Sequence, residues 1–243
     1  MKIITLMFAV LLIYVQTNAQ DGRSAFRKGY QRIGITSLGN SIDNNLSAKE
    51  NLLRGNYGAK RGFVFEFGHN YYFKKNENAK MINYGLDWTI LSASYHNLTG
   101  WNSYPSTADM QTPVSLAVSS RLGPVVSINP VEKLVIDLRV QFSPVMRFTN
   151  FSYSEDGGGE YQYYALFDED ADDINTIAKN SVAVGFGTNL GISVRRKAIG
   201  LALDFVNVKS KTNLFSESGS GDLTKEKVSI KSNNLQLKLS LTF

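Results

Sequence analysis

The chain has 243 residues, a formal net charge of +5 and no cysteine, which excludes disulfides and lipid attachment to a cysteine. Its Lys and Arg residues are scattered rather than clustered, so the sequence shows no electrostatic footprint for nucleic acid. Aromatic residues are abundant, with 12 Tyr and 14 Phe, and helical periodicity is almost absent after residue 20.

The first residues have the pattern of a secretory signal peptide. Lys2 precedes the uncharged run IITLMFAVLLIYV, residues 3–15, and the small residue Ala19 stands before Gln20. The run is shorter than the roughly 20 residues that a membrane-spanning helix needs. We therefore expect residues 1–19 to be a signal peptide that is cleaved after Ala19, and residues 20–243 to form one mature domain.

Eight later segments alternate between apolar and polar residues with a period of two, which is typical of β-strands with two different faces. The connections between them are alternately long and short, starting with a long one. Antiparallel strands place odd-numbered connections at one end and even-numbered connections at the other, so this order predicts an antiparallel arrangement. The segments are 30–38, 61–75, 81–95, 113–128, 133–148, 181–194, 198–208 and 227–243.

The composition of the two strand faces favours a membrane barrel. The less apolar face is rich in Gly, Ala, Ser, Thr and Asn with single charges, which suits the narrow interior of an eight-stranded barrel. A soluble sandwich or barrel would bury its apolar face and would usually expose more Lys and Glu. We therefore predict an all-β, transmembrane, antiparallel up-and-down β-barrel with eight strands, four long outer loops and three short periplasmic turns.

The last nine residues, LQLKLSLTF, alternate without an error and end on an aromatic residue. With the strand count and the order of the connections, they resemble the small eight-stranded barrels of Gram-negative outer membranes, the OmpA/OmpX type, over residues 28–243. The apolar face of this strand comprises Leu235, Leu237, Leu239, Leu241 and Phe243.

The resemblance implies that residues 20–243 are a barrel domain in the cell outer membrane, in contact with outer-membrane lipid and lipopolysaccharide. It also implies that the barrel assembly machinery reads the last strand as its signal. The alternative for the same nine residues is an edge strand of a soluble sandwich, which would invite aggregation at an unprotected apolar edge.

Charged residues on the small and polar face are predicted to lie inside the barrel near its middle. A Lys or Arg facing lipid there would cost about 2–4 kcal/mol, whereas opposite charges inside the barrel can pair. We predict an interior polar network that plugs the barrel; the alternative is that strand stagger leaves single, water-bridged charges. The predicted network contains four basic and four acidic residues: Arg32, Glu66, Asp87, Arg121, Asp137, Arg139, Asp204 and Lys238.

Three residues do not fit the alternation, namely His69, Pro124 and Pro144. His69 falls on the lipid face by parity, and each proline removes a hydrogen-bond donor from its strand. A bulge near Gly68 or beside either proline would shift the register locally. The sequence does not choose between these positions.

Some outer-membrane barrels with this architecture are lipid-modifying enzymes, whose acyl-transfer chemistry needs a His beside a Ser and a carboxylate. Only His69 and His96 occur, neither begins a His-x-Ser motif of the deacylase type, and no Asp-Ser pair of the palmitoyltransferase type is present. We therefore predict no enzymatic activity, no catalytic residue, and no cofactor or metal. The alternative is a deacylase or acyltransferase that uses His96, at the outer end of the third strand.

The third long connection contains two further candidate features. Its acidic segment, residues 168–173, could bind Ca²⁺, but it lacks the glycine of an EF-hand loop, and a solvated acidic loop is favoured. Its aromatic residues could contact a protein partner, or could simply extend strands five and six above the membrane. These aromatic residues are Tyr161, Tyr163, Tyr164 and Phe167.

These observations predict a non-enzymatic integral outer-membrane protein with a plugged interior. It would act structurally or by binding a protein partner, a surface glycolipid or a host molecule through its outer loops, and an alternative is that it is a subunit of a larger outer-membrane complex. The sequence does not identify the partner.

Overall fold

The computed structural model describes residues 25–73, 82–104, 114–156, 161–166, 182–219 and 223–243; the predicted signal peptide, residues 1–19, lies outside them. Helix α1 spans Ala48–Arg54, and a short 3-10 helix spans Thr99–Ser103. Neither is long and apolar enough to cross a membrane. The strands are β1 (Gly29–Thr36), β2 (Gly62–Tyr72), β3 (Ile82–Asn97), β4 (Val114–Val131), β5 (Leu134–Asn150), β6 (Ser152–Asp156), β7 (Tyr161–Ala165), β8 (Val182–Arg196), β9 (Ile199–Ser218) and β10 (Thr224–Thr242).

The described strands pair in one antiparallel sheet whose hydrogen bonding is cyclic. Strand β10 pairs with β9 along one side and with β1 along the other. Eight strands thereby close a ring in the order β1, β2, β3, β4, β5, β8, β9 and β10. The predicted all-β, antiparallel class is confirmed.

The predicted number of eight strands is wrong for the sheet, which contains ten. The other two, β6 and β7, form a hairpin within the third long connection, which the sequence analysis had read as a loop. Strand β7 continues the sheet by pairing with the end of β9, from Gln162 opposite Ser218 to Ala165 opposite Phe215. This pairing is possible because β9 extends to Ser218, well beyond the predicted segment 198–208.

Side chains alternate between the interior and the outer surface of the ring, because successive residues of a pleated strand point to opposite faces. In β10, Leu237 and Leu239 are 48% and 41% exposed, whereas Gln236 and Lys238 are 1% and 0% exposed. The ring therefore turns apolar side chains outward and polar side chains inward, the reverse of a soluble sandwich.

A β-bulge in β3 settles part of the register that the sequence left open. Thr89 pairs with Arg121 and Ser92 with Ser119, so Ile90 and Leu91 together face a single residue of β4. As a result, Thr89 and Ser92 both point into the ring although they are three positions apart.

The three residues that do not fit the alternation leave their own strands continuous. His69 lies on the outer surface of β2, its ring centroid 4.7 Å from that of Tyr71. Pro124 and Pro144 are exposed on the outer surface, and β4 and β5 run through them. The bulge lies in β3, opposite Phe67 and Gly68 of β2, and not beside either proline.

The long connections pack into a hydrophobic core at one end of the ring, which we call the cap. Trp101 of the 3-10 helix lies within it, its ring centroid 4.7 Å from that of Phe151. These connections were predicted to be loops, so the cap was not predicted from the sequence. The buried members of the cap are Leu38, Ala48, Leu52, Tyr57, Leu98, Trp101, Phe151, Tyr153, Leu166, Leu214, Val228 and Ile230.

Helix α1 of the cap begins with a capping box. The Ser47 hydroxyl accepts a hydrogen bond from the Glu50 amide at 3.2 Å, and the Glu50 carboxylate accepts one from the Ser47 amide at 3.0 Å. The Ser47 amide and the Ser47 hydroxyl each donate a hydrogen bond to the Glu50 carboxylate, and these two bonds hold the Glu50 pKa below its ordinary value. The resulting stabilisation is present above the pKa of Glu50 in the unfolded chain and is lost as the pH falls through the folded-state pKa.

Replacing Ser47 by alanine should destabilise α1 by about 1 kcal/mol, because the first turn loses the acceptor of its amide groups. Hydrogen exchange of the α1 amides should accelerate, while exchange in the ring strands stays unchanged. Ser41→Ala, at an exposed position of the same connection, is the matched control. Equal exchange in both variants would contradict the capping role of Ser47.

The opposite end of the ring carries the short connections. Lys133 and Lys197, at φ angles of 63° and 57°, lie in the tight turns between β4 and β5 and between β8 and β9. The segment before β1 folds across this end: the Phe26 ring packs edge-on against Tyr72, at a centroid distance of 5.7 Å. The remaining predicted short connection, residues 76–80, lies outside the described residues.

Candidate functional site: the charged interior

The eight charged residues that the sequence analysis placed in the interior are all buried inside the ring, each with at most 3% of its surface exposed. A ninth, Arg195, joins them at 2% exposure. We call these nine residues the interior network. It has five basic and four acidic members: Arg32, Arg121, Arg139, Arg195, Lys238, Glu66, Asp87, Asp137 and Asp204.

Glu66 of β2 lies among three cations of the interior network. Its carboxylate is 2.7 Å from Lys238 Nζ, 3.0 Å from Arg121 Nη1 and 3.7 Å from Arg32 Nη1. The Ser92 hydroxyl donates a hydrogen bond to the same carboxylate at 3.1 Å. Ser92 reaches this position because the β3 bulge turns it inward.

Asp204 of β9 is the second centre of the interior network. Arg139 Nη2 donates to both of its carboxylate oxygens at 2.8 Å, Arg139 Nε donates to Oδ1 at 3.0 Å, and Lys238 forms a further ion pair with it. A glycine makes room for this pair: a Cβ at Gly191 would lie 2.1 Å from Asp204 Oδ1 and 2.4 Å from Arg139 Nε. Lys238 connects the two centres, because it pairs with Glu66 as well.

Asp87 of β3 joins the interior network through Arg32 and Tyr30. Its carboxylate lies 3.8 Å from Arg32 Nη2 and accepts a hydrogen bond from the Tyr30 hydroxyl at 2.5 Å. The guanidinium carbon of Arg32 is 3.7 Å from the centre of the Tyr30 ring. Tyr30 is therefore both a hydrogen-bond donor and a cation–π partner.

Asp137 of β5 forms a separate group nearer the short-connection end. Ser127 and Ser193 donate hydrogen bonds to its two oxygens at 2.6 and 2.9 Å, and Arg195 Nε lies at 3.2 Å. Arg195 Nη1 also donates to the Ala25 carbonyl at 3.1 Å, which ties the segment before β1 to this end.

Arg195 and the neutral members of this site were not predicted from the sequence. Arg195 falls in the short connection between the predicted segments 181–194 and 198–208, although it has the same parity as the inward-facing Asn189 and Ser193. The neutral side chains that hydrogen-bond to the interior network were also not singled out, because Tyr, Ser, Gln and Asn on an inward face carry no distinctive signal. They are Tyr30, Tyr72, Ser92, Ser127, Asn189, Ser193 and Gln236.

The charged groups of the interior network neutralise one another. Each of its nine charged groups has an opposite charge within 4.0 Å. Such contacts offset part of the large cost of taking charges out of water and fix the heights of neighbouring strands. Among the described residues, no group of three His, Asp or Glu side chains has the arrangement of a metal site.

His96, the residue of the enzymatic alternative, points into the ring near the cap and is 1% exposed. Its Nε2 atom has no hydrogen-bond partner among the residues that the structure describes. Within the described part of the chain, no carboxylate oxygen lies within 4.0 Å of its imidazole nitrogens.

A further buried cation outside the interior network, Arg147 of β5, lies between the interior and the cap. It donates a hydrogen bond to Tyr57, whose ring centre is 5.8 Å from the Arg147 guanidinium carbon. Burial raises the pKa of the Tyr57 phenol, and the nearby guanidinium offsets only part of this shift. The Tyr57 hydroxyl therefore keeps its proton at neutral pH and remains a hydrogen-bond donor.

The other candidate residues lie away from the interior. Among the five residues of the proposed assembly signal, Leu235, Leu237 and Leu239 are exposed, and Leu241 and Phe243 are half-buried on the same strand face. This geometry does not test whether the assembly machinery reads them, which stays a prediction.

The aromatic residues proposed to bind a partner lie mostly on β7. Tyr161 is 39% exposed, and Tyr163 and Tyr164 are half-buried. They lie on a separate strand that pairs with β6 and β9, so they do not extend the predicted strands five and six, and contact with a partner stays a prediction. Phe167 and the acidic segment 168–173 lie outside the described residues.

No protein-family model matches this chain, and no curated protein sequence matches it. A solved structure described as "TodX deltaS2S3 mutant monoaromatic hydrocarbon channel" is similar over 94% of this chain, with 13% sequence identity and a TM-score of 0.37. The chain spans 61% of the length of that channel. At this identity and TM-score, the likeness supports no conclusion about function.

Proposed function

We propose that this protein is a non-enzymatic integral outer-membrane β-barrel whose eight-stranded ring spans the bilayer and whose interior is closed to solutes. The observation that carries the proposal is the combination of an apolar outer surface on the ring with a neutralised charged interior. The protein acts structurally or by binding a partner through its long connections, either alone or as a subunit of a larger complex.

The outer surface of the ring is apolar, as expected for a surface in contact with lipid. Every ring strand contributes at least two large exposed apolar side chains, such as Phe63 and Phe65 of β2 and Leu201 and Leu203 of β9. Soluble monomers rarely expose contiguous apolar patches larger than a few hundred Å². An apolar band around a closed ring of strands is instead the pattern of a membrane barrel, with outer-membrane lipid as its surroundings.

The band has a polar boundary on the cap side. Beyond the exposed pair Phe205 and Leu235, the next outward positions of β9 and β10 are polar, beginning with a pair of asparagines. Lys209 and Lys231 then stand opposite each other, both exposed. A change from apolar to charged residues on one strand face is expected where a strand leaves the hydrocarbon region for the headgroups and water.

Three layers support a closed interior. The cap covers the long-connection end, the interior network occupies the middle, and the Phe26–Tyr72 contact covers the short-connection end. An eight-stranded barrel is just wide enough for its own side chains to fill it. Burial of His96 without a carboxylate partner among the described residues supports the non-enzymatic part of the proposal.

Purified protein should form no stable channel in planar lipid bilayers, since its interior is filled by paired side chains. It should first fractionate with the outer membrane and migrate faster on gels before boiling, as folded barrels do. A channel-forming porin in the same bilayers serves as the positive control. Sustained large single-channel conductance would contradict the closed interior, and recovery as a soluble periplasmic protein would contradict the membrane barrel.

A further inference from the structure

Arg147 differs from the basic residues of the interior network in having no anionic partner among the described residues. It is 4% exposed, and no carboxylate oxygen of the described residues lies within 4.0 Å of its guanidinium. Within the part of the chain that the structure describes, its Nε and Nη1 atoms have no hydrogen-bond partner, although each carries a proton. Its hydrogen bond to Tyr57 is to a neutral group and leaves the charge unbalanced.

An unbalanced buried guanidinium is costly and cannot be relieved by proton loss. Moving an isolated ion from water into a protein interior costs several kcal/mol even after relaxation. Lys or His could become neutral, but arginine keeps its proton at any physiological pH. The charge of Arg147 therefore requires an anion from outside the described groups.

The free space beside Arg147 has the size and lining for a small anion. The cavity measures about 10 Å³, room for one water molecule or an ion only slightly larger. Hydroxyl groups dominate its polar lining, and hydroxyls can donate hydrogen bonds to an anion as the guanidinium does. The lining residues are Tyr57, Arg147, Thr149, Leu166, Ala183, Ser210, Thr212 and Ile230.

We infer that Arg147 and the surrounding hydroxyls form a buried site for one small monovalent anion of chloride size. The site joins β5 of the ring to Tyr57 and Ile230 of the cap. The anion neutralises the guanidinium and accepts the Nε and Nη1 protons that the protein leaves unpaired. Larger anions such as phosphate esters do not fit the cavity.

The test measures the thermal unfolding midpoint of the purified protein in detergent micelles, with chloride replacing gluconate at constant ionic strength. The midpoint should rise with chloride and level off, because a ligand that binds only the folded state stabilises it until the site is saturated. Arg147→Met should abolish this dependence. Arg61→Met, at an exposed arginine before β2, should retain it.

A second variant keeps the inference testable if Arg147→Met does not fold. Thr212→Val removes one lining hydroxyl and should raise the half-saturating chloride concentration about fivefold, the effect of losing one hydrogen bond of about 1 kcal/mol. In crystals grown in bromide, an anomalous peak should lie beside the Arg147 guanidinium. Equal chloride dependence in wild type and Arg147→Met, or bromide crystals without this peak, would overturn the site.

Discussion

Replacing Glu66 by leucine should lower the free energy of unfolding by about 3–5 kcal/mol, the range for removing one partner of a buried ion pair. Glu66 is fully buried and is the carboxylate that contacts both Lys238 and Arg121. Its loss leaves the interior network with the same five cations and one anion fewer. Urea unfolding in lipid vesicles, followed by tryptophan fluorescence, measures the change.

The loss of Glu66 would remove an anionic partner from each of the three cations around it, but with different consequences. Lys238 retains Asp204, and Arg32 retains Asp87. Arg121 would be left with neutral acceptors alone, the Ser92 hydroxyl at 2.8 Å and the Gln236 carbonyl at 3.4 Å. We therefore expect the buried charge of Arg121 to be the one that loses most, because Glu66 is its carboxylate partner and the other two cations each keep one.

Glu226→Leu is the matched control, because Glu226 also pairs with a lysine but on the surface. Its carboxylate is 2.9 Å from Lys49 Nζ, and its side chain is 56% exposed. Exposed pairs contribute about 0–1 kcal/mol, so this variant should unfold almost as the wild type does. Equal losses in Glu66→Leu and Glu226→Leu would show that the interior charges are hydrated rather than paired.

A double variant isolates the pair itself. Adding Lys238→Leu to Glu66→Leu removes one cation and one anion, so the excess of positive charge returns to that of the wild type. Asp204 remains neutralised by Arg139, which binds it through two nitrogens. The double variant should be more stable than the sum of the two single effects by about 0.5–3 kcal/mol, and strict additivity would contradict direct coupling of Glu66 and Lys238.

The inward position of these charges could be predicted from sequence because it depends on parity alone. In β10, the leucines at 235, 237 and 239 have to leave Gln236 and Lys238 on the other face, whatever the strand pairs with. Parity places Asp204 and Arg139 on the inward face of their strands in the same way. Arg195 was missed because β8 extends to Arg196, whereas the predicted segment ended at residue 194.

The pairing of the charges could not be predicted, because it depends on the stagger between strands. Glu66 and Lys238 lie on β2 and β10, which are separated by β1, and their contact requires both intervening registers at once. The bulge at Ile90 and Leu91 shifts Ser92 onto Glu66, and two adjacent apolar residues give no sign of it. Stagger and bulges are set by the closed ring as a whole rather than by any one segment.

The cap was missed for a different reason. Helix α1 has only seven residues, too few for its apolar period to stand out in a loop of 22 residues, 39–60. The local signal was present, since Ser47 and Glu50 have the spacing of a capping box. The β6–β7 hairpin was missed because its strands have only five residues each, and its place in the sheet depends on the pairing of β7 with the distant end of β9.

Replacing Leu239 by lysine should destabilise the protein in lipid bilayers by about 2–4 kcal/mol, the cost of a cation near the bilayer midplane on the outer surface of a barrel. Leu239 is 41% exposed between Ile33 of β1 and Leu201 of β9, which are both exposed apolar residues. A lysine there would have no polar side chain beside it and would have to reach along the barrel surface to find water. Urea unfolding in lipid vesicles measures the loss.

Asn233→Lys is the matched control on the same strand and the same outward face. Asn233 lies opposite Asn207, beyond the last apolar pair of the band, and near the exposed residues Lys209 and Lys231. A lysine at this height should cost about 0–1 kcal/mol, because it stands at the level of the headgroups or above them. Both substitutions introduce the same side chain into β10, so the difference between them isolates depth in the membrane.

The comparison of Leu239→Lys with Asn233→Lys decides what surrounds the ring. If lipid surrounds it, the two losses differ by about 2 kcal/mol or more, and the difference shrinks when the protein is unfolded from small detergent micelles that water penetrates. If water surrounds it, a lysine on an exposed strand face changes stability by only about 0.5 kcal/mol at either position. Two equal, small losses would therefore remove the membrane barrel as an explanation for the outward apolar band, and the ring would then need a protein partner to cover Leu239 and its neighbours Ile33 and Leu201.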